Sequence, residues 1–151
     1  MSAQQKYEFV PGDEITIAPG RTVKRIRALV AIAIFGVLPG DLGGYVEKEA
    51  NLAQVSGDAW VSGDARVYGD AQVSGDGLIF WASKVGSENG TLTVYNTKDN
   101  TLEVTRGGFR GSVTEFLAAS AEKHDARIKR EYELLIEVAT SRIEAARGVQ
   151  P

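Results

Sequence analysis

The chain has 151 residues, 43% of them hydrophobic, with a formal net charge of -3 and no cysteine. That size and composition allow one modest core and exclude disulfide frameworks, cysteine-ligated zinc and thiol chemistry. The acidic balance argues against a broad nucleic-acid surface and leaves room only for local basic patches.

The opening stretch MSAQQKYEFVPGDE lacks the basic-then-apolar order of a secretory signal, so a cytoplasmic location is expected. EITIAPGRTVKRIRAL then reads as two strands around a Pro19-Gly20 turn, with Ile26 and Ala28 alternating with Arg25 and Arg27. Residues 1–45 are predicted to form an N-terminal β cap. Arg21, Lys24, Arg25 and Arg27 are the densest basic cluster, which fits a solvated strand face or a site for an anion or acidic partner. Arg25 and Arg27 are therefore candidate ligand contacts. The longest apolar run, Ala28 to Phe35, is far below the ~20 residues of a membrane helix and reads as a buried strand or subunit contact.

Residues Ala53 to Asp76 repeat a hexad four times, AQVSGD AWVSGD ARVYGD AQVSGD. Fixed-period self-similarity is the signature of a solenoid. Ala53, Ala59, Ala65 and Ala71 alternate with Val55, Val61, Val67 and Val73 as in very short strands, and each Gly-Asp pair supplies a corner. The aliphatic slot continues outward through Ile79 and Val85, and backward through Val46 and Leu52 after a three-residue slip. A hexapeptide β-helix over 46–89 is the prediction. Trp60, Arg66, Tyr68 and Gln72 fall between inward positions and should point out, which makes Trp60 and Tyr68 candidates for an oligomer interface. Asp58, Asp64, Asp70 and Asp76 read as turn residues, because successive hexads face different edges and a Ca²⁺ ion wants ~6 to 8 converging oxygens.

TLTVYNTKDNTLEVT reads as a hairpin, with Leu92 and Val94 mirrored by Leu102 and Val104. RGGFRGS follows, completing a segment of 90–111. Arg106 and Arg110 beside glycines fit a phosphate site or a plain connector. Residues 112–147 are predicted to be a helical pair. Ser112 and Glu115 form a capping box before Val113, Phe116 and Leu117, and a second helix carries Ile128, Tyr132, Leu135, Ile136, Ala139 and Ile143 on one stripe. The stripe fits internal packing or a subunit contact, with Tyr132 and Leu135 as interface candidates.

The hexads resemble those of the hexapeptide-repeat, left-handed β-helix proteins. The order of RIRAL, GDLGGYVEKEANL, GDAWVSGDARVYGDA, GGFRGSVTEF and HDARIKREYELL is similar to that in a group of small phage- and prophage-encoded β-solenoid proteins. The chain departs from that group at the more apolar ALVAIAIFGVLPGD. The resemblance implies one compact, mainly β domain: a short left-handed β-helix with a β cap, hairpin and helical pair, assembled as a homo-oligomer, a trimer above other states. It also implies a phage or prophage origin. Together with the missing catalytic constellation and the basic side chains beside glycine-rich turns, this leads to the expectation of a non-enzymatic accessory protein that binds a host defence component or sequesters a small anionic ligand such as a signalling nucleotide, with Arg25, Arg27, Arg106 and Arg110 as contacts. No cofactor and no metal are expected. One alternative is an acyltransferase using acyl-CoA, because acyltransferases of the hexapeptide fold use a histidine as base and His124 is the only histidine. The other is a structural oligomer or virion component.

Overall fold

The structure, a computed structural model, describes residues 5–18, 20–32, 36–54, 60–61, 63, 65–69, 71–73, 78–106 and 109–148. The chain divides into two compact units, Met1–Asp76 and Gly77–Pro151, so the boundary falls inside the 46–89 segment. Each unit holds one four-stranded sheet.

In the first unit β1 (Tyr7–Ala18), β2 (Arg21–Ala28), β3 (Leu42–Val46) and β4 (Arg66–Val67) lie side by side in that order. The β1–β2 and β2–β3 pairs are antiparallel and β3–β4 is parallel. Gly20 turns β1 into β2 at φ 75°, a left-handed conformation that costs glycine little. Between Phe9↔Ile26 and Glu14↔Lys24, β1 bulges through Pro11, which an edge strand tolerates because its missing N–H breaks no ladder bond. Val23, Tyr45 and Tyr68 pack with half-buried Ile15 and Ile17. Ile26, Val46, Leu52, Trp60, Val61 and Val67 are buried as well.

These contacts overturn the predicted β-helix. A solenoid needs hexads stacked in register on one another through parallel ladders. Among the described residues the predicted 46–89 coil supplies only two short parallel contacts, the two-residue β4 on the end of β3 and one isolated bridge, Leu52↔Val73, and no continuous ladder of stacked hexads. The longer alternating strands β1 and β2 build the ladder instead, antiparallel, because they offer many more hydrogen bonds than three-residue hexad strands. The outward continuation of the period through Ile79 and Val85 belongs to an antiparallel strand of the second unit. With no stacked coil among the described residues, the hexapeptide, solenoid and phage assignments have no support here.

Trp60 and Tyr68 also depart from prediction: both are buried within the single chain and offer no outward face for a trimer. The reason is local packing. Gly43 leaves room for the indole, since a Cβ there would stand 2.8 Å from Trp60 Cζ2 and 2.6 Å from the Val61 carbonyl oxygen. Tyr68 sits in the core cluster with the Arg21 guanidinium 5.5 Å from its ring centroid. Arg66 is half-buried and Gln72 exposed. Asp58, Asp64, Asp70 and Asp76, together with Gly107 and Gly108 of the glycine-rich turn, lie outside the described residues.

The second unit is an antiparallel meander of β5 (Ile79–Val85), β6 (Gly90–Asn96), β7 (Leu102–Arg106) and β8 (Phe109–Ser112), followed by α1 (Val113–Lys123) and α2 (Ala126–Gly148). The hairpin pairs Val94 with Val104, and both faces are covered: Leu92, Val94 and Val104 are buried on one side and Thr93, Tyr95 and Thr105 on the other. α1 packs on β7 and β8, and α2 on β5 and β6. Ile128, Tyr132, Ile136, Ala139 and Ile143 form the buried stripe of α2, while Leu135 is half-buried. No described helix is long and apolar enough to cross a membrane.

Candidate functional site

The second unit encloses an open cavity of about 570 Å³ between α1, α2, the end of β7 and the β5–β6 turn. Local sequence rules place its walls. The Ser112 hydroxyl accepts the Glu115 N–H at 3.1 Å and the Glu115 carboxylate accepts the Ser112 N–H at 2.8 Å, which starts α1 in a phase that turns Phe116 and, one turn on, Ser120 inward. Asp125 Oδ1 accepts the Ile128 N–H at 3.0 Å at the start of α2, and Tyr132 follows one turn after Ile128 on the buried face. The antiparallel register of β6 and β7 sets Arg106 opposite Leu92, near the β5–β6 turn.

Three residues that line this cavity carry buried polar atoms without a full hydrogen bond. Arg106 Nε and Nη2, Ser120 Oγ and Tyr132 Oη are buried and make no hydrogen bond. The Arg106 side chain is 16% exposed, Ser120 is 4% exposed and Tyr132 is 0% exposed. Native proteins satisfy the large majority of buried polar groups, so several orphans on one cavity call for an explanation. Arg106 Nη1 donates to Glu88 Oε1 at 3.1 Å, but that carboxylate is 76% exposed and anchors only one corner of the guanidinium. Burial raises the Tyr132 phenol above its ordinary value against the opposing pull of the Arg106 charge, so it keeps its proton and is a donor at neutral pH. Arg106 lowers the phenol both through its charge and through a side-chain hydrogen-bonding contact, one that falls short of strict donor–acceptor geometry.

Lys123 and His124 also line the cavity at the end of α1. Lys123 offsets the partial negative charge of that helix terminus. His124 stands 5.7 Å from Tyr132, ring centre to ring centre. The apolar wall is an edge-to-face series: Phe109 to Phe116 at 5.5 Å, and Phe116 to Tyr132 at 4.9 Å.

The four arginines singled out in the sequence have different surroundings. Arg25 donates from Nε to Asp13 Oδ2 at 2.8 Å, from Nη1 to the Gly43 carbonyl at 2.8 Å and from Nη2 to Tyr45 Oη at 2.6 Å, with Tyr45 beneath it at 4.4 Å. Arg27 donates from Nε to Glu8 Oε2 at 2.8 Å, and Arg110 from Nε to Glu103 Oε2 at 3.0 Å. Only Arg106 of the four carries buried nitrogens without partners among the described residues. Arg147 Nη2 is also an orphan, but Arg147 binds Asn96 Oδ1 through Nε at 2.7 Å and does not line this cavity. Ser120, Lys123 and Glu88 were not singled out by sequence reasoning. The signal for Ser120 was present, since it is a polar residue four places after Phe116 on the apolar face of α1. Among the described residues no three His, Cys, Asp or Glu side chains gather as a metal site requires. No protein-family model, curated protein or solved structure matches this chain.

Proposed function

We propose that this chain is a binding protein whose second unit takes up a small anionic ligand. The observation that carries the reading is the set of unpartnered buried donors on one cavity: Arg106 Nε and Nη2, Ser120 Oγ and Tyr132 Oη. An unsatisfied buried donor is unfavourable, so an oxyanion that accepts from all of them relieves that cost on arrival and binds through charge-assisted hydrogen bonds. A cavity of this volume lies within the range that small ligands occupy. A small molecule is favoured over a protein partner because the donors are buried in a cavity and not displayed on a face.

The acyl-transfer alternative depended on a groove between hexapeptide solenoids, and the described residues form no such solenoid. His124 remains on the cavity wall as a further donor to an anion. The test is thermal unfolding of the full chain against a panel of phosphate, sulfate, carboxylates and nucleotides. A ligand at 100 times its dissociation constant adds about 2.7 kcal/mol and raises the melting temperature of the second unit by roughly 10–20 °C. The rise should vanish in Arg106→Gln. A flat response across the panel overturns the reading.

A further inference from the structure

The chemical class of the ligand follows from the arrangement of the donors. With Nη1 of Arg106 turned to Glu88, the nitrogens left without partners are Nε and Nη2. They form the side-on edge of the guanidinium, whose two parallel N–H groups match two oxygens of one oxyanion. Tyr132 Oη lies beside the same edge: a Cβ on Gly86 would overlap the hydroxyl and stand 3.4 Å from Arg106 Nη2. Ser120 Oγ adds a fourth donor, and the Lys123 side chain adds a second positive charge at the rim.

Four donors exceed what a carboxylate, with two oxygens, can use, and suit the three oxygens of a phosphate monoester. The Glu88 carboxylate on the same wall offsets one of the two cationic side chains, so the donor count and not the charge carries the assignment. The bridging oxygen then carries an organic group, and the rest of the cavity says what kind. Phe109, half-buried, and Phe116 lie in edge-to-face sequence with Tyr132, a wall against which another ring packs well.

We propose that the ligand is a small phosphate monoester of an aromatic or heteroaromatic molecule, its phosphate on Arg106, Tyr132 and Ser120 and its ring against Phe109 and Phe116. This inference rests on the anion reading above. The ligand is a free small molecule held in the cavity of the second unit.

Calorimetric titration of the full chain with phenyl phosphate, inorganic phosphate and benzoate tests it. Phenyl phosphate should bind at least about tenfold more tightly than either of the others, since each lacks one half of the recognised structure. Ser120→Ala should weaken phenyl phosphate about tenfold and benzoate less, because the carboxylate leaves that donor unused. Phe109→Leu should weaken phenyl phosphate and leave inorganic phosphate unchanged. Arg106→Lys keeps the charge and loses the side-on fork, so its loss of binding with an unchanged melting temperature separates recognition from folding. Benzoate binding as tightly as phenyl phosphate overturns the phosphate assignment while the anion reading stands. Inorganic phosphate matching phenyl phosphate overturns the aromatic part. No binding by any of the three overturns the anion reading and this inference with it.

Discussion

Tyr132→Phe should make the protein more stable and its ligand binding weaker. The phenol of Tyr132 is fully buried, its hydroxyl meets only the Arg106 side chain and short of full hydrogen-bond geometry, and the oxygen is pressed against the backbone of Gly86. A buried hydroxyl in that state forfeits its hydration, at a cost of about 1–3 kcal/mol. Replacement by phenylalanine removes that cost and leaves a gap of only one oxygen atom, while the ring keeps its edge-to-face contact with Phe116. Attraction between the hydroxyl dipole and Arg106 returns part of the gain, so the expected net stabilisation is about 1 kcal/mol, or roughly 4–8 °C in a unit of this size. Trp60 lies in the first unit and Trp81 in the second. Fluorine NMR of 5-fluorotryptophan-labelled protein therefore follows the unfolding of each unit separately in urea. The signal of Trp81 should shift to a higher midpoint and that of Trp60 should not move. Destabilisation of the second unit by 1 kcal/mol or more would refute the reasoning, because it would show that the hydroxyl is already satisfied without ligand.

Other substitutions probe the packing that positions the cavity and the core. Gly86→Ala combines a φ of +77° with a Cβ that overlaps the Tyr132 hydroxyl, and should cost about 2–3 kcal/mol, less in a Tyr132→Phe background; a urea-denaturation double-mutant cycle measures the coupling. Gly43→Ala drives a Cβ to 2.6 Å from the Val61 carbonyl oxygen and should destabilise the first unit by about 1–3 kcal/mol, read at Trp60. Ser112→Ala removes the cap of α1 and should cost about 1 kcal/mol in the second unit by the same assay. Burial first, and the charge of Glu49 second, raise the Tyr7 phenol above its ordinary value. The unfolded chain therefore loses that proton before the folded one does. The contribution of Tyr7 to stability is full below about pH 10 and falls as pH rises from there, and Tyr7→Phe should flatten this alkaline decline in a pH series of urea midpoints.

Local rules in the sequence identified the hairpin and both helices of the second unit, while β5 was counted with the hexads and β8 was read as a glycine-rich turn. The mirrored Leu92, Val94 and Val104 mark the hairpin, Ser112 with Glu115 marks the start of α1, and Ile128, Tyr132, Ile136, Ala139 and Ile143 mark the buried stripe of α2. The first unit was misjudged because the hexads have a strand-like alternation over only three residues. Alternation predicts which side chains turn inward, and indeed Val61, Ala65, Val67 and Val73 are buried, but it does not select the partner strand. Long-range pairing with β3 and the antiparallel β1–β2 ladder did that. Trp60 was misplaced for a related reason, since its burial depends on the missing side chain of Gly43, seventeen positions earlier. At the cavity, Arg106 and Arg110 look alike in sequence. What separates them is the sheet register: Thr105 faces Arg110 and Glu103 faces Ser112, which leaves the Glu103 carboxylate within 3.0 Å of Arg110 Nε.

That difference between arginines provides the most direct test of the central claim, that the Arg106 edge awaits an anion. The measurement is a titration of ¹⁵N-arginine-labelled protein with phenyl phosphate, following the side-chain Nε–H signals of Arg25, Arg27, Arg106 and Arg110. The account predicts a saturable shift of the Arg106 signal, with the signals of the other three, already bonded to Asp13, Glu8 and Glu103, unmoved. An Arg106 signal that stays in place at millimolar phenyl phosphate, or that moves no more than the other three, would contradict it.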